Sequence, residues 1–304
     1  MRIGVIGDIH GDASALAEVL SVLSEYRIDM LLQAGDVGSD ILPPGFHTID
    51  FTNLFPRGYQ VARDSLRQMW QSSVLCIERL MSRLGVPVYL VPGNHDLADY
   101  PIENKTLVFN CDQRLVGAGD IQLMGVGGSN RTSLSWPYEW SDGEAEKAWN
   151  ELELREASQP CILLSHPPPY SCLDSLKGKS YLGSSFVQEL IRRTSPAICV
   201  CGHIHEGFGV KWLDRTLVVN AGSVVTYRHF RRPHGMFVNP IEDAGYRALL
   251  LDCSNDLRRI TVTTFFISMH NPTMPIVKHK AYTSSDSGTT RPRWLMLPKR
   301  RWST

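Results

Sequence analysis

Five short polar segments of the chain combine Asp, Asn and His with Gly or Ser, and each segment follows an apolar run. Together they hold five of the ten histidines in the chain. Carboxylates and imidazoles in one set are ligands that suit Mn, Fe, Zn and similar divalent ions. They therefore predict a metal site; in chain order the segments are Gly7-Asp8-Ile9-His10-Gly11, Gly35-Asp36-Val37-Gly38, Gly93-Asn94-His95-Asp96, Ser165-His166 and Gly202-His203-Ile204-His205.

The segments offer more ligands than one ion needs. Because seven is an odd number, two ions with equal numbers of ligands must share at least one. A carboxylate can bridge two ions because its two oxygens accept from different directions. We therefore expect two ions roughly 3.5–4 Å apart, a pair that lowers the pKa of a bound water toward about 7 and holds a phosphoryl group beside it. This inventory favours hydrolysis of a phosphate ester.

The order of the segments resembles that of a known superfamily. The series GD-x-H, GD, GNHD, H and GH-x-H, from residue 7 to residue 205, is similar to the calcineurin-like metallophosphoesterases. The resemblance implies an α/β fold, a β-sandwich flanked by helices in four αββα layers. It also implies a dinuclear metal site at the ends of strands.

The resemblance implies a role for each polar side chain. His95 would face the substrate phosphate without binding metal, and Asp96 would orient His95. Mn²⁺ is the expected ion, with Fe, Zn, Ni and Mg open. The implied ligands are Asp8, His10 and His205 for the first metal, Asn94, His166 and His203 for the second, and Asp36 as the bridge.

Other residues near these segments have two interpretations. Asn130 and Arg131 follow a diglycine and are candidate substrate-binding residues, although a solvated loop is the alternative for Arg131. Asp40 is interpreted as a turn or capping residue. The aromatic residues of the same loop form either a pocket wall or a packed loop; they are Trp136, Tyr138 and Trp140.

The sequence also departs from one branch of the superfamily. Its phosphoprotein phosphatases carry Gly-Asp-x-x-Asp-Arg-Gly at the second segment, whereas this chain has Gly35-Asp36-Val37-Gly38-Ser39-Asp40 and lacks the arginine. They also carry Glu where this chain has Asp96. Segments such as Ser165-His166-Pro167-Pro168 look more like the small bacterial and archaeal phosphoesterases.

Hydrophobic periodicity predicts the elements that position these residues. An apolar strand at Ile3–Ile6 leads into the first segment, and Asp12 can cap an amphipathic helix over Ala13–Tyr26. A second, longer helix is predicted over Gln60–Leu84. Because the polar segments follow strands, and ligand sites of α/β folds collect at strand ends, the segments should converge.

Composition and charge set the wider expectations. The 304 residues are 43% hydrophobic and 20% charged, with no apolar run that could span a membrane and no signal-like N-terminus. The seven cysteines are scattered, and several lie in apolar runs typical of a reducing compartment. We expect a cytoplasmic protein that does not bind membranes, with a metallophosphoesterase domain over 1–266 and a basic, partly disordered C-terminal tail over 267–304.

The expected function is metal-dependent hydrolysis of a phosphate ester, in a phosphodiesterase or phosphatase acting on a small molecule or nucleotide. A DNA or RNA nuclease is the alternative, because residues 255–304 hold 9 Lys and Arg against 2 Asp and Glu and could contact nucleic acid. A protein phosphatase and a non-enzymatic scaffold are weaker alternatives. A homo-oligomer remains open.

Overall fold

The fold is described from a computed structural model of the chain. It describes residues 1–47, 59–150, 160–176, 180–226, 245–268 and 271–283. Within these ranges it contains four α-helices, one short 3-10 helix and eighteen strands. The α-helices are α1 (Ala13–Glu25), α2 (Tyr59–Ser82), α3 (Asp142–Asn150) and α4 (Ser185–Thr194), and the 3-10 helix is His205–Gly207.

The strands belong to two large sheets and two short ribbons. In chain order they are β1 (Arg2–Ile6), β2 (Met30–Gln33), β3 (Val88–Leu90), β4 (Val108–Asn110), β5 (Leu115–Ala118), β6 (Ile121–Val126), β7 (Ser129–Asn130), β8 (Glu139–Trp140), β9 (Cys161–Ser165), β10 (Ser175–Leu176), β11 (Ser180–Tyr181), β12 (Ile198–Cys201), β13 (Gly209–Leu213), β14 (Thr216–Asn220), β15 (Val225–Thr226), β16 (Gly245–Cys253), β17 (Arg259–Ser268) and β18 (Asn271–Thr283).

The first sheet has the order β18-β17-β16-β1-β2-β3-β4, with β15 also paired to β16. Its strands β1 to β4 run parallel, and β16 to β18 join them antiparallel. The second sheet has the order β13-β14-β12-β9-β6-β5. Its four inner strands are parallel, and its two edge strands are antiparallel. Each sheet therefore gathers the carboxyl ends of several strands at one edge.

Three apolar clusters separate the layers. One joins α1 and α2 to the outer face of the first sheet and includes Leu16, Trp70 and Leu250. A second lies between the sheets and is drawn from both. The third joins α3 and α4 to the second sheet through Trp149 and Phe186. The four-layer α/β sandwich expected from the sequence is confirmed, and no helix of the described residues is long and apolar enough to span a bilayer.

The first helix shows how local sequence builds this architecture. The Asp12 side chain accepts a hydrogen bond from the backbone N–H of Ala15 at 2.9 Å, which satisfies one free donor at the start of α1. Leu16, Val19 and Leu23 of α1 are fully buried. The prediction of Ala13–Tyr26 therefore differs from α1 by one residue. The cap also fixes where the first polar segment ends.

The C-terminal boundary differs from the sequence prediction. Residues 271–283, assigned to the tail, form β18, which pairs with β17 from Arg259↔Thr283 to Ser268↔Asn271. Tyr282 of β18 is buried in the cluster between the sheets. The prediction failed because a strand at a sheet edge needs few apolar residues when the paired strand supplies them. Residues 284–304, including the basic cluster at 299–301, lie outside the described residues.

Candidate metal centre

The structure brings all seven predicted ligands to one edge of the sandwich. The two sheets contribute about equally, because each polar segment follows a parallel strand where that strand ends. Asp8 and His10 follow β1, Asp36 follows β2, Asn94 follows β3, His166 follows β9, and His203 and His205 follow β12.

The first predicted ligand group is assembled around Asp8. One ligand atom each from Asp8, His10 and His205 lies within 4.8 Å of the others. His205 Nε2 is 2.8 Å from Oδ2 of Asp8, and the backbone N–H of His203 donates to both Asp8 oxygens at 3.1 Å. Asp8 is fully buried. Its carboxylate is therefore fixed with imidazole nitrogen beside it, as a bound cation requires.

The second group lies against the first. Ligand atoms of Asp8, Asp36 and His166 also lie within 4.8 Å of one another. The Nδ1–H of His166 donates to the Ala34 carbonyl at 2.7 Å, so Nε2 is left as the free nitrogen. That Nε2 lies 2.9 Å from Oδ1 of Asn94. His166 and Asn94 can therefore serve one ion together.

Asp36 lies between the two groups. Its Oδ2 atom is 3.9 Å from Nε2 of His10 and 3.5 Å from Nε2 of His166. These two histidines belong to the first and the second predicted ion. The position agrees with the bridging role that the sequence assigns to Asp36. The ring centroid of His203 lies 4.9 Å from that of His166, and burial lowers the pKa of His203 to about 3, so its ring is neutral as metal ligation requires.

Two glycines of the segments are required by close packing. A Cβ on Gly93 would lie 2.0 Å from Oδ1 of Asp36. A Cβ on Gly202 would lie 2.3 Å from Oδ1 of Asp8. Both distances are far inside van der Waals contact. Glycine thus lets the backbone pass directly behind the two carboxylates.

Three of the ligands have backbone conformations that side chains rarely adopt. The φ angles of His10, Asp36 and His203 are 49°, 50° and 62°. Non-glycine residues in this left-handed region are uncommon, and they cluster at functional sites. The chain turns sharply at these residues after its strands, which aims their side chains into the site.

The electrostatics of the site favour a cation. Burial lowers the pKa of His10, but the hydrogen bond with Asp40 and the charge of Asp36 outweigh it and raise that pKa to about 10. Burial would raise the pKa of Asp8, but the hydrogen bond from His205 and the nearby positive charges hold it well below its usual range. The buried carboxylates thus draw protons onto their neighbours. Divalent ions can replace those protons, because metal ligands bind in their deprotonated forms.

His95 lies beside the ligands and is held by Asp40. Oδ1 of Asp40 is 2.8 Å from Nδ1 of His10 and 2.9 Å from Nδ1 of His95. The ring of Trp136 stacks on His95, with centroids 3.9 Å apart and an interplanar angle of 25°. Asp40 lies in a turn, as interpreted from the sequence, but its carboxylate also connects a predicted ligand to His95, which that interpretation missed. The signal in the sequence was a second acid four residues after Asp36.

The predicted role of Asp96 is corrected by its contacts. Asp96 is fully buried and accepts hydrogen bonds from the backbone N–H groups of Val37, Gly38 and Gly93 at 2.9–3.0 Å. Its carboxylate also receives the indole N–H of Trp70 at 3.3 Å. These donors saturate it, and it makes no hydrogen bond to His95. Asp96 instead ties the second and third polar segments together.

The two predicted substrate-binding residues face other partners. Arg131 pairs with Glu144 at 2.6 Å, and the side-chain amide of Asn130 donates to Asp142 at 2.8 Å. Neither lines the cavity above the ligands. Their partners explain the difference, because two acidic residues at the start of α3 lie beside the loop. The structure thus supports the solvated-loop interpretation for Arg131.

The aromatic residues of this loop divide between the two interpretations. Trp136 lines the cavity. Tyr138 donates its hydroxyl to Asp112 at 2.6 Å, and the Trp140 indole donates to the Gly127 carbonyl at 2.8 Å. Tyr138 and Trp140 are therefore packing residues, whereas Trp136 forms a wall.

An open cavity of about 510 Å³ lies over the cluster. Its apolar lining residues are Ile9, Trp136 and Val225. The lining that the structure describes contains no Lys or Arg. The polar lining residues are His10, Asp12, Asp36, Asp40, Asn94, His95, Thr132, His203, His205 and Ser223.

Comparison with known proteins identifies the class that this fold and site define. Residues 1–207 match the calcineurin-like phosphoesterase family, and the chain belongs to that family. The match covers all five polar segments. The chain is therefore a member of a family of metallophosphoesterases, and it carries candidate ligand clusters for divalent metal.

Individual relatives carry less information about function. The uncharacterized protein MJ1162 of Methanocaldococcus jannaschii is 31% identical over 139 residues, which are 44% of this chain and 62% of that protein. The alignment thus spans less than two-thirds of that relative. The crystal structure of TT1561 of Thermus thermophilus is 15% identical with a TM-score of 0.52, covering 93% of this chain and 98% of its own. Another crystal structure is 19% identical with a TM-score of 0.62, covering 83% and 94%. Both structures are similar in fold.

Proposed function

We propose that the protein is a phosphodiesterase that hydrolyses a small organic phosphodiester or a nucleotide, with Mn²⁺ as the expected metal. The observation that carries the proposal is the cavity over the ligand cluster. Its described lining offers histidines and carboxylates but no Lys or Arg to neutralise a second phosphate charge. A diester carries one negative charge and a monoester carries up to two, so this lining favours the diester. The apolar lining residues Ile9, Trp136 and Val225 suit contact with an organic group of a diester.

The residues present fit two divalent ions. Asp8, His10 and His205 would hold one, Asn94, His166 and His203 the other, and Asp36 would contact both. When bound, such ions supply positive charge to the phosphate oxygens and make a water molecule more acidic.

The remaining requirement is a proton for the leaving group, which a residue of the chain would supply. Hydrolysis adds water to phosphorus and breaks one ester P–O bond, and the departing oxygen needs a proton. His95 is placed to supply it, because Nδ1 faces Asp40 and Nε2 is the remaining ring nitrogen. Burial lowers the pKa of His95, but Asp40 and the charge of Asp36 outweigh it and raise that pKa above its ordinary value, so the ring holds a proton that it can transfer. Thr132 and Ser223 also line the cavity, with their hydroxyls donating to Glu139 and to the Asp8 carbonyl.

The proposal is tested with metal-stripped protein, to which Mn²⁺ and other divalent ions are added back singly. The substrates are bis-p-nitrophenyl phosphate, a diester, and p-nitrophenyl phosphate, a monoester. We expect metal-restored turnover with a higher kcat/KM for the diester, and its loss in Asp36→Ala. A preference for the monoester would overturn the diester assignment. No turnover with any metal, in protein shown to bind two ions, would overturn the proposed function.

A further inference from the structure

The stack between Trp136 and His95 is the strongest feature near the site that no metal ligand explains. The two rings are nearly parallel, with centroids 3.9 Å apart. The His10 ring lies nearly perpendicular to the His95 ring, with centroids 5.3 Å apart and an angle of 84°, and Asp40 Oδ1 lies 2.9 Å from Nδ1. One face of the imidazole is thus covered by the indole, and Nδ1 lies beside a carboxylate. Nε2 is left for a substrate.

The backbone that carries Trp136 is held by hydrogen bonds on both sides of this residue. On one side, the backbone N–H of Gly45 donates to the carbonyl of Ser135 at 2.6 Å. On the other side, the backbone N–H of Tyr138 donates to the carbonyl of Asn94 at 3.1 Å. His47 Nε2 lies 3.1 Å from the Pro137 carbonyl.

The bond to Asn94 links the two sides of the stack. Asn94 precedes His95, so the loop that carries Trp136 is tied to the turn that carries His95. The His95 ring stacks on the Trp136 indole, and the loop of Trp136 is bonded to the backbone beside His95. The His95 ring therefore has little freedom to rotate. A face covered by imidazole also cannot stack on a nucleobase. This face of the indole therefore supports His95 and does not bind substrate.

We propose that Trp136 is a positioning residue, which holds the His95 imidazole so that Nε2 can give its proton to the departing oxygen of the substrate. The inference rests on the proposed function. It predicts that replacing Trp136 lowers kcat more for a substrate whose leaving group depends more strongly on that proton. Proton transfer by a positioned side chain typically contributes roughly 10²–10⁴-fold.

The kinetic test compares two diesters of similar shape, bis-p-nitrophenyl phosphate and diphenyl phosphate. The second has the less acidic leaving group and depends more on a proton donor. For Trp136→Leu we expect a loss in kcat of about tenfold on diphenyl phosphate, a fraction of the proton-transfer contribution, and a much smaller loss on the nitrophenyl diester. KM should change little for either. Trp136→Phe, which keeps an aromatic face, should recover most of the activity.

A double-mutant cycle separates positioning from general damage. If Trp136 acts through His95, adding Trp136→Leu to His95→Asn should lower the rate no further. Trp212→Phe, at a half-buried tryptophan outside the cavity lining, is the matched control. Equal losses on both diesters, a change in KM alone, or additive losses in the double variant would each overturn the inference.

A second measurement needs no turnover. In the metal-free or zinc-loaded protein, the ring C–H proton resonances of His95, identified by their absence in His95→Asn, should be shifted upfield by the indole. The shift should vanish in Trp136→Leu and persist in Trp212→Phe. An unshifted resonance in the wild-type protein would overturn the inference even if the enzyme is active. A wild-type protein that shows the shift and hydrolyses neither diester would count against the proposed function alone.

Discussion

Asp40 connects the two kinds of chemistry at the site through one oxygen atom. That oxygen faces Nδ1 of His10, a predicted ligand, and Nδ1 of His95, the proposed proton donor. A carboxylate at Nδ1 fixes the ring orientation and directs the other nitrogen away from it. Asp40 therefore orients a predicted metal ligand and the proposed proton donor together.

Replacement of Asp40 by Asn tests this arrangement. Asp40→Asn keeps the size of the side chain and removes the charge that holds both rings. We expect kcat with the diester to fall by roughly 10–100-fold, the usual cost of losing such a supporting partner, and metal affinity to fall as well. Steady-state kinetics and metal titration would measure the two effects. Asp120→Asn, at an exposed turn residue, should change neither; unchanged kinetics in Asp40→Asn would contradict the role given to Asp40.

Individual residue roles were predictable from the sequence only where a motif fixes them. The convergence of the seven predicted ligands could be predicted because each follows the end of a strand and their order matches a known family. Asp96 was predicted to orient His95, but Asp40 contacts the His95 ring and Asp96 accepts from backbone N–H groups. Spacing along the chain does not reveal which of the two carboxylates makes which contact. For Arg131 the sequence left substrate binding and a solvated loop open, because its partner Glu144 lies 13 residues further along, outside any local pattern.

At the scale of elements, the turns after the strands position the ligands. In the first sheet the parallel strands β1, β2 and β3 deliver their following turns to one edge. Asp96 joins the turns after β2 and β3 through three backbone hydrogen bonds. Gly93 and Gly202 leave space for the backbone behind the Asp36 and Asp8 carboxylates. The ligands are thus held by backbone geometry as much as by side-chain contacts.

A single methyl group should disturb this geometry. In Gly93→Ala the added Cβ would lie 2.0 Å from Oδ1 of Asp36, so the carboxylate or the turn has to move. We expect metal affinity and kcat to fall by at least about tenfold, since displacement of a reacting group by 1 Å can cost about 10²-fold. Metal titration and kinetics would show both effects. Gly117→Ala is the matched control, because nothing lies within 4 Å of its added Cβ; equal behaviour of the two variants would contradict the argument.

Elements with strong local signals were predicted well. The helix over 13–26 has a cap and a clear apolar stripe, and α1 begins at the predicted residue. The prediction of Gln60–Leu84 differs from α2 (Tyr59–Ser82) by one or two residues at each end. The strand over 271–283 was missed because its stability comes from pairing with β17 rather than from its own composition. Such pairing is a property of the fold and leaves little trace in a short window of sequence.

At the scale of the whole molecule, the metal centre joins the two sheets. Asp8 and Asp36 follow strands of the first sheet, whereas His166, His203 and His205 follow strands of the second. Bound ions would cross-link the two layers in addition to the apolar cluster between them. Metal binding is therefore expected to stabilise the fold as a whole.

Thermal unfolding would measure this stabilisation. A ligand that binds only the folded state adds about 2.7 kcal/mol to the free energy of unfolding at a hundredfold excess over its Kd. We expect Mn²⁺ to raise the Tm of metal-stripped wild-type protein, and to raise that of Asp36→Ala much less. Scanning calorimetry at matched metal concentrations would show the difference. Equal shifts in both proteins would mean that the ions bind elsewhere.

The left-handed backbone at His10, Asp36 and His203 has a consequence for protein engineering. Each such conformation costs about 1–3 kcal/mol in a residue with a side chain. Glycine would relieve that cost at every one of the three positions. A library of random variants selected only for heat tolerance, in the absence of divalent metal, would therefore accumulate Gly at these positions. The most heat-tolerant variants of that library would be proteins that no longer bind metal.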